Sequence, residues 1–288
     1  MTYTLIEVPT INDEREDYIS LLKIYNSSVE SKYNEVVFDF TNCRFLRQNG
    51  VAFLGGLFRY LNYRGKEVKY IKQSIEQRIF TNLQQNGFAG VFFDDSSSWD
   101  GNSIPYYEFK EYSGIETYLK DKWLGKGWIN MSQKLQDAIV ARVFEIYVNS
   151  VEHADSKIGS FSCGQHFVRN NELCLSLVDF GVGVAEKVKN HLSETEGKEI
   201  TSLQAMEWAF TEGNSTRDYE NIGYSGGMGL SMIKEFLMVN GGNMSIYCND
   251  CHLEIDENDM KISTIDYNFP GTMICIKIKK DDSFYDFK

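Results

Sequence analysis

The chain of 288 residues contains no run of about 18 apolar residues, which excludes a membrane-spanning helix of ordinary length. Its start, Met1-Thr-Tyr-Thr-Leu-Ile-Glu-Val-Pro9, lacks a basic stretch followed by an apolar core, so no export leader is expected and the protein is expected in the cytoplasm. Positive charge is scarce: 29 Lys and Arg face 41 Asp and Glu, for a net charge of -12. Binding to phosphate backbones or anionic membranes needs clustered cations, so neither nucleic acid nor a membrane is an expected partner. No repeat of fixed period is visible. Two common nucleotide signatures are missing as well, since no glycine loop ends in Gly-Lys-Ser/Thr and the dinucleotide glycine spacing is not met.

What is present suffices for real cores, with 42% hydrophobic residues and 14% aromatics. The length points to two domains. Residues 13–33 read as an amphipathic helix, Glu35-Val-Val-Phe-Asp39-Phe as a strand, and Gly50 to Leu61 as a helix after a turn. Glu67 to Ile71 is then a strand, Ser74 to Gln85 a helix, and Val91-Phe-Phe93 a last short strand. This alternation predicts a small α/β domain with right-handed crossovers over residues 1–95. Ser96-Ser-Ser-Trp-Asp-Gly-Asn-Ser103 is the most loop-like stretch, so 96–122 reads as a connector and 123–288 as the second domain.

Four short pieces stand out in the second domain. In a predicted helix from Gln133 to His153, Glu145 and Asn149 lie four apart and share a face, with Glu152 and His153 one turn further on. A carboxylate and an amide oxygen so placed suit proton abstraction and a hard cation such as Mg2+. An apolar strand, Leu173-Cys-Leu-Ser-Leu-Val178, leads into Asp179-Phe-Gly181-Val-Gly183, an acid at a strand tip followed by bare backbone. Gly226-Gly227-Met228-Gly229-Leu230 opens a predicted helix that closes at Gly241-Gly242, and such a turn offers free N–H groups to an anion. Gly271-Thr272 is the fourth piece. Taken singly, the helix pair also reads as a polar edge, the Asp-Xaa-Gly as an ordinary turn, and Glu152 with His153 as the polar end of a helix.

In this order the pieces resemble the boxes of the GHKL ATPases, the family shared by gyrase, the ninety-kilodalton heat-shock chaperones, histidine kinases and mismatch-repair proteins. The Glu145/Asn149 helix is similar to the N box, Asp179-Phe-Gly181-Val-Gly183 to the first glycine box, Gly227-Met228-Gly229-Leu230 to the second, and Gly271-Thr272 to the Gly-Thr of the last strand. Phe210 to Arg217, including Thr216, resembles the lid segment of histidine kinases. The resemblance covers 123–279 and implies a Bergerat-type α/β sandwich, helices over one face of a mixed sheet, with Mg-ATP under a lid from Thr211 to Gly229. It implies Glu145 as the base, Asn149 as the Mg2+ ligand, and Asp179 with Thr272 at the adenine. It further implies nucleotide contacts from His153, Gly181, Gly183, Thr216, Gly226, Gly227, Met228, Gly229 and Leu230.

The first half resembles the STAS domain of sulfate transporters and anti-sigma-factor antagonists, on Val36-Val-Phe-Asp39 and Phe45-Leu-Arg-Gln-Asn49-Gly50-Val. In the antagonists the residue before that Gly is a phosphorylated Ser or Thr; here it is Asn49, which has no hydroxyl. The resemblance implies a protein partner met through this half, and the ATPase family implies a possible homodimer.

Cys248-Asn-Asp-Cys251-His252 matches a c-type haem string, but nothing directs export, and a zinc site would need two more ligands. Cys163 and His166 have the spacing yet would point to opposite faces of a strand. A hairpin loop with two reduced thiols is expected there, and no disulfides among the six cysteines. Three functions follow: ATP hydrolysis driving a conformational or dimerisation cycle; transfer to a partner's Ser by an anti-sigma-type kinase; or a non-enzymatic, nucleotide-gated interaction module. A sensor histidine kinase is disfavoured, because no His lies in a separate helix upstream of Glu145.

Overall fold

The computed structural model describes residues 2–95, 97–99, 101–148, 150, 156–211 and 228–287, with the backbone alone for 228–231. The chain is α/β, with one parallel and one antiparallel sheet among these residues.

The first half runs β1 (Tyr3–Glu7), α1 (Arg15–Val29), β2 (Glu35–Asp39), α2 (Gln48–Tyr63) and β3 (Glu67–Tyr70), giving a parallel sheet in the order β1-β2-β3. Parallel neighbours need crossovers, and α1 and α2 supply them. Two helices follow, α3 (Gln77–Gln85) and α4 (Phe88–Phe92). Val91 to Phe93 was expected to be a strand and instead falls at the end of α4. The left-handed Gly87, at φ 81°, separates the helices, and Phe88 and Phe92 pack on Phe58 and Tyr106. A short apolar run carries no period of its own, so tertiary packing decided it.

The second half runs β4 (Ser103–Phe109), the single turn α5 (Ile115–Thr117), α6 (Gln133–Val148), β5 (Ser160–Phe167), β6 (Glu172–Asp179), α7 (Val184–Glu196), α8 (Ser202–Ala209), α9 (Met228–Asn240), β7 (Asn243–Ile255) and β8 (Met260–Lys279). The sheet order is β4-β5-β6-β8-β7. Every described pair is antiparallel rather than mixed as expected, because β5 to β6 and β7 to β8 are hairpins and β8 returns beside β6. The edge strand β4 comes from the stretch read as a connector.

Alternation along the strands gives this sheet two apolar faces. Leu173, Leu175 and Leu177 of β6, with Ile274, Ile276 and Ile278 of β8, pack with residues of α6, α7, α8 and α9. Val178, Met273, Cys275, Phe161 and Cys163 belong instead to a core with α1 and α2. Helices therefore cover both faces, and the second cover comes from the first half. Accordingly α2 is buried along one continuous stretch, Gln48 to Phe58, as a helix between two layers must be.

Closeness at this junction depends on two glycines. A Cβ on Gly55 would lie 2.5 Å from the Tyr106 ring, and one on Gly56 2.7 Å from the Phe161 ring and closer still to Phe180. Beside them runs a polar seam. Arg47 bonds Asp13 and, at 3.0 Å, Glu172; Lys277 reaches Asp13 at 2.9 Å; and the Arg47 guanidinium lies 3.9 Å over Phe167. Desolvating such charges costs about what their pairing returns, so the seam chiefly fixes where α2 sits. Asn49 is buried at the same junction, its amide donating to the Asn12 carbonyl at 2.8 Å. Among the described residues no helix is long and apolar enough to cross a membrane.

The sign of one substitution tests the docking of α2. On a free helix Gly→Ala stabilises by about 1 kcal/mol. Gly56→Ala should destabilise instead, by about 1 to 2 kcal/mol net of that gain, because overpacking a filled core costs about 1 to 3 kcal/mol. Urea unfolding measures this, and a stabilised variant would show that α2 does not press on the sheet.

Candidate functional site

The apolar stripe of α6, Leu135, Ile139, Val140, Val143 and Tyr147, seats the helix on the sheet, and the Tyr147 hydroxyl lies 2.7 Å from Ser162 Oγ. Glu145 lies on the half-buried flank, where Arg142 donates to its carboxylate at 2.7 Å. Asn149, Glu152 and His153 lie outside the described residues, as do Thr216, Gly226 and Gly227. Met228, Gly229 and Leu230 form the first turn of α9, so a glycine-rich stretch does open that helix.

Asp179 is the last residue of β6, and its parity with Leu173, Leu175 and Leu177 turns the carboxylate toward the α6–α9 layer. It is 1% exposed. Thr272 of β8 is its cross-strand partner. The Gly181 amide donates to Asp179 Oδ1 at 2.9 Å. Burial raises the carboxyl to a pKa of about 7, against the pull of hydrogen bonds from Gly181 and Thr272. A Cβ on Gly271 would strike the Asp179 carbonyl oxygen and sit 2.9 Å from the Phe269 ring, so only glycine lets β8 press against this tip.

Gly183 is the N-cap of α7 and has φ 80°; a Cβ there would lie 2.5 Å from Asn249 Oδ1. That oxygen accepts from the Glu186 amide at 3.2 Å, while Asn249 Nδ2 donates to the Val182 carbonyl at 3.0 Å. A side chain from β7 thus closes the start of α7, a remote version of an N-cap. Sequence reasoning missed Asn249. The available signal was an Asn inside a strand-like run, where left-handed backbone marks a bulge; its φ is 52° and the β7–β8 register shifts there.

This capping also accounts for the Cys248–His252 string, which lies within β7 and not in a hairpin loop; the turn falls at Asp256 to Asp259. Cys248 and Cys251 belong to the helix-side core. His252 faces the other way, stacked 4.2 Å from Tyr247, which stacks 4.2 Å from Tyr18. Burial pushes the Cys248 thiol up to about 12 and His252 down to about 4, so both are neutral at pH 7. Cys163 and His166 also part, Cys163 to the first-half core and His166 onto Trp128 at 5.0 Å. All six cysteines are buried free thiols.

Among the described residues one group, Asp13, Glu172 and Cys174, brings metal-ligating atoms together. Arg47 and Lys277 already neutralise Asp13, and this group lies at the opposite end of β6 from Asp179, roughly 20 Å away by strand rise. It is an ion-pair seam.

The chain matches no protein-family model and no curated protein.

The raised pKa of Asp179 makes stability depend on pH. The folded protein holds this proton more tightly than the unfolded chain, so the contribution is full below about pH 4 and is lost as pH rises to about 7. About three pKa units correspond to about 4 kcal/mol at most. Asp179→Asn should flatten that loss, unfolding like wild type at pH 4 and at higher urea than wild type at pH 8. Identical pH profiles for the two proteins would contradict a buried, proton-binding Asp179.

Proposed function

We propose that the chain binds Mg-ATP on the α6–α9 side of the five-stranded sheet and hydrolyses it to drive a conformational or dimerisation cycle. One observation carries this reading: a buried carboxylate and a hydroxyl, Asp179 and Thr272, are paired across the tips of β6 and β8 beside a glycine-lined backbone.

The donor set suits an adenine. Asp179 accepts from an exocyclic amino group, a contact that stabilises the anion of a carboxyl poised near neutrality. Thr272 orients the same edge, and the Gly181 amide holds the carboxylate in place. Mg-ATP supplies the transferable phosphoryl group. Glu145 then takes the proton of the attacking water once it exchanges its bond to Arg142 for one to that water. Asn149 is the residue proposed to hold Mg2+, with His153, Thr216 and the glycines from Gly226 to Gly229 around the phosphates.

The Arg142–Glu145 pair favours a second reading, a nucleotide-gated interaction module whose carboxylate stays tied to its own helix. In either case Asn49 is buried and its neighbours Arg47 and Gln48 are engaged by Glu172 and Cys275 of the second half, so an outside partner would meet another face.

Glu145→Ala should keep ATP affinity by calorimetry within a few-fold of wild type while lowering phosphate release about 100-fold or more, the range for a lost general base. Wild-type release no faster than the variant's, with no phosphotransfer to co-purified proteins, would leave the gated module. ATP should bind more tightly than GTP by about 1 to 3 kcal/mol, because the amino-to-carbonyl change leaves Asp179 facing an acceptor. Equal affinities would remove Asp179 from the adenine site.

A further inference from the structure

Phe180 follows Asp179 and points the opposite way. Its ring enters the first half, stacked 5.3 Å from Tyr60 and edge-on to Phe269 at 5.3 Å. Beside it opens a cleft of about 190 Å3 lined by Tyr60, Tyr63, Arg64, Lys157, Ile158 and Phe180. The lining comes from both halves: the C-terminal end of α2 on one side, and the turn before β5 with the tip of β6 on the other.

The charge of this cleft stands out in a chain of net charge -12. Its two charged groups among the described residues are cations, and no described carboxylate lines it. Other cations of the first half are engaged: Arg59 with Glu108, Lys69 with Glu35, and Lys66 with the carbonyls of Ser31 and Tyr33. Among the described residues Arg64 makes no ion pair; it donates to the Tyr60 hydroxyl at 3.1 Å, which holds its guanidinium beside the ring. Lys157 is exposed and makes none with a described residue either. The opposing term is the C-terminus of α2, worth about half a negative charge, against two whole positive charges. A junction of two halves with aromatic walls and convergent cations has the makeup of a ligand site.

We propose that this cleft binds a small anion carrying a planar ring, with the ring against the Tyr60 and Phe180 aromatic wall and the negative charge on Arg64 and Lys157. The ring gains stacking and apolar burial, and the anion gains charge-assisted bonds from a guanidinium already positioned. The site lies on the face of the sheet opposite the Asp179 carboxylate and does not rest on the ATP reading.

Phenyl phosphate is the probe, titrated into the full chain without nucleotide and followed by calorimetry and ligand-observed NMR. Saturable one-site binding is expected, weakened at least 10-fold in the double variant Arg64→Ala/Lys157→Ala and weakened less by the charge-keeping Arg64→Lys. Both cations are exposed, so the variants should melt like wild type, which circular dichroism checks. Absence of saturable binding to wild type, unchanged binding to the double variant, or equal affinity for inorganic phosphate would each overturn the proposal. No nucleotide is present, so failure here leaves ATP binding untouched, and loss of ATP binding in Asp179→Asn leaves this site standing.

Discussion

The structure depends on keeping both faces of one antiparallel sheet out of water. An antiparallel sheet commonly leaves one face to solvent. Here β6 and β8 are apolar on both faces, so the α6–α9 layer cannot by itself satisfy them. The first half supplies the missing cover through α1 and α2, and the glycine contacts, the Arg47 seam and the aromatic cluster around Phe180 are the means by which it seats. The halves that look like separate modules in sequence share a core.

That constraint organises the candidate site. Strand parity sends Asp179 to one face, and the next residue, Phe180, to the other. The carboxylate proposed to meet adenine and the ring that lines the cationic cleft are therefore neighbours on one short stretch of backbone. Asp179 is held by Gly181, Thr272 and the close approach of Gly271, while Phe180 is held by Tyr60, Phe53 and Phe269. A shift of this tip would be felt by both halves, which gives a proposed nucleotide cycle a physical route to the first half.

Much of this was legible in the residues. The 3.6 period of α6 and α9, the apolar run of β6 and the acid at its tip all carry strong local signals, and the structure places them as read over the described residues, α6 as far as Val148. The misses have physical causes. Val91-Phe-Phe93 is too short to show a period; β4 begins beside loop-like residues and contains Pro105; β1 is five residues with only Ile6 buried and Leu5 exposed, so it carries little alternation. Asn249 escaped because its role depends on a contact 63 residues away, with the Glu186 amide. The back face of the sheet escaped for the same reason, although the nearly all-round apolar surface of α2 already implied two partners for that helix.

Hydrogen exchange of the native protein in rising sub-denaturing urea tests the shared core most directly, since it resolves the opening free energy segment by segment. A common core predicts that amides of β2 and α2 open together with those of β6 and β8, at one free energy. A first half whose amides open several kcal/mol below the second, leaving β6 and β8 protected, would contradict it.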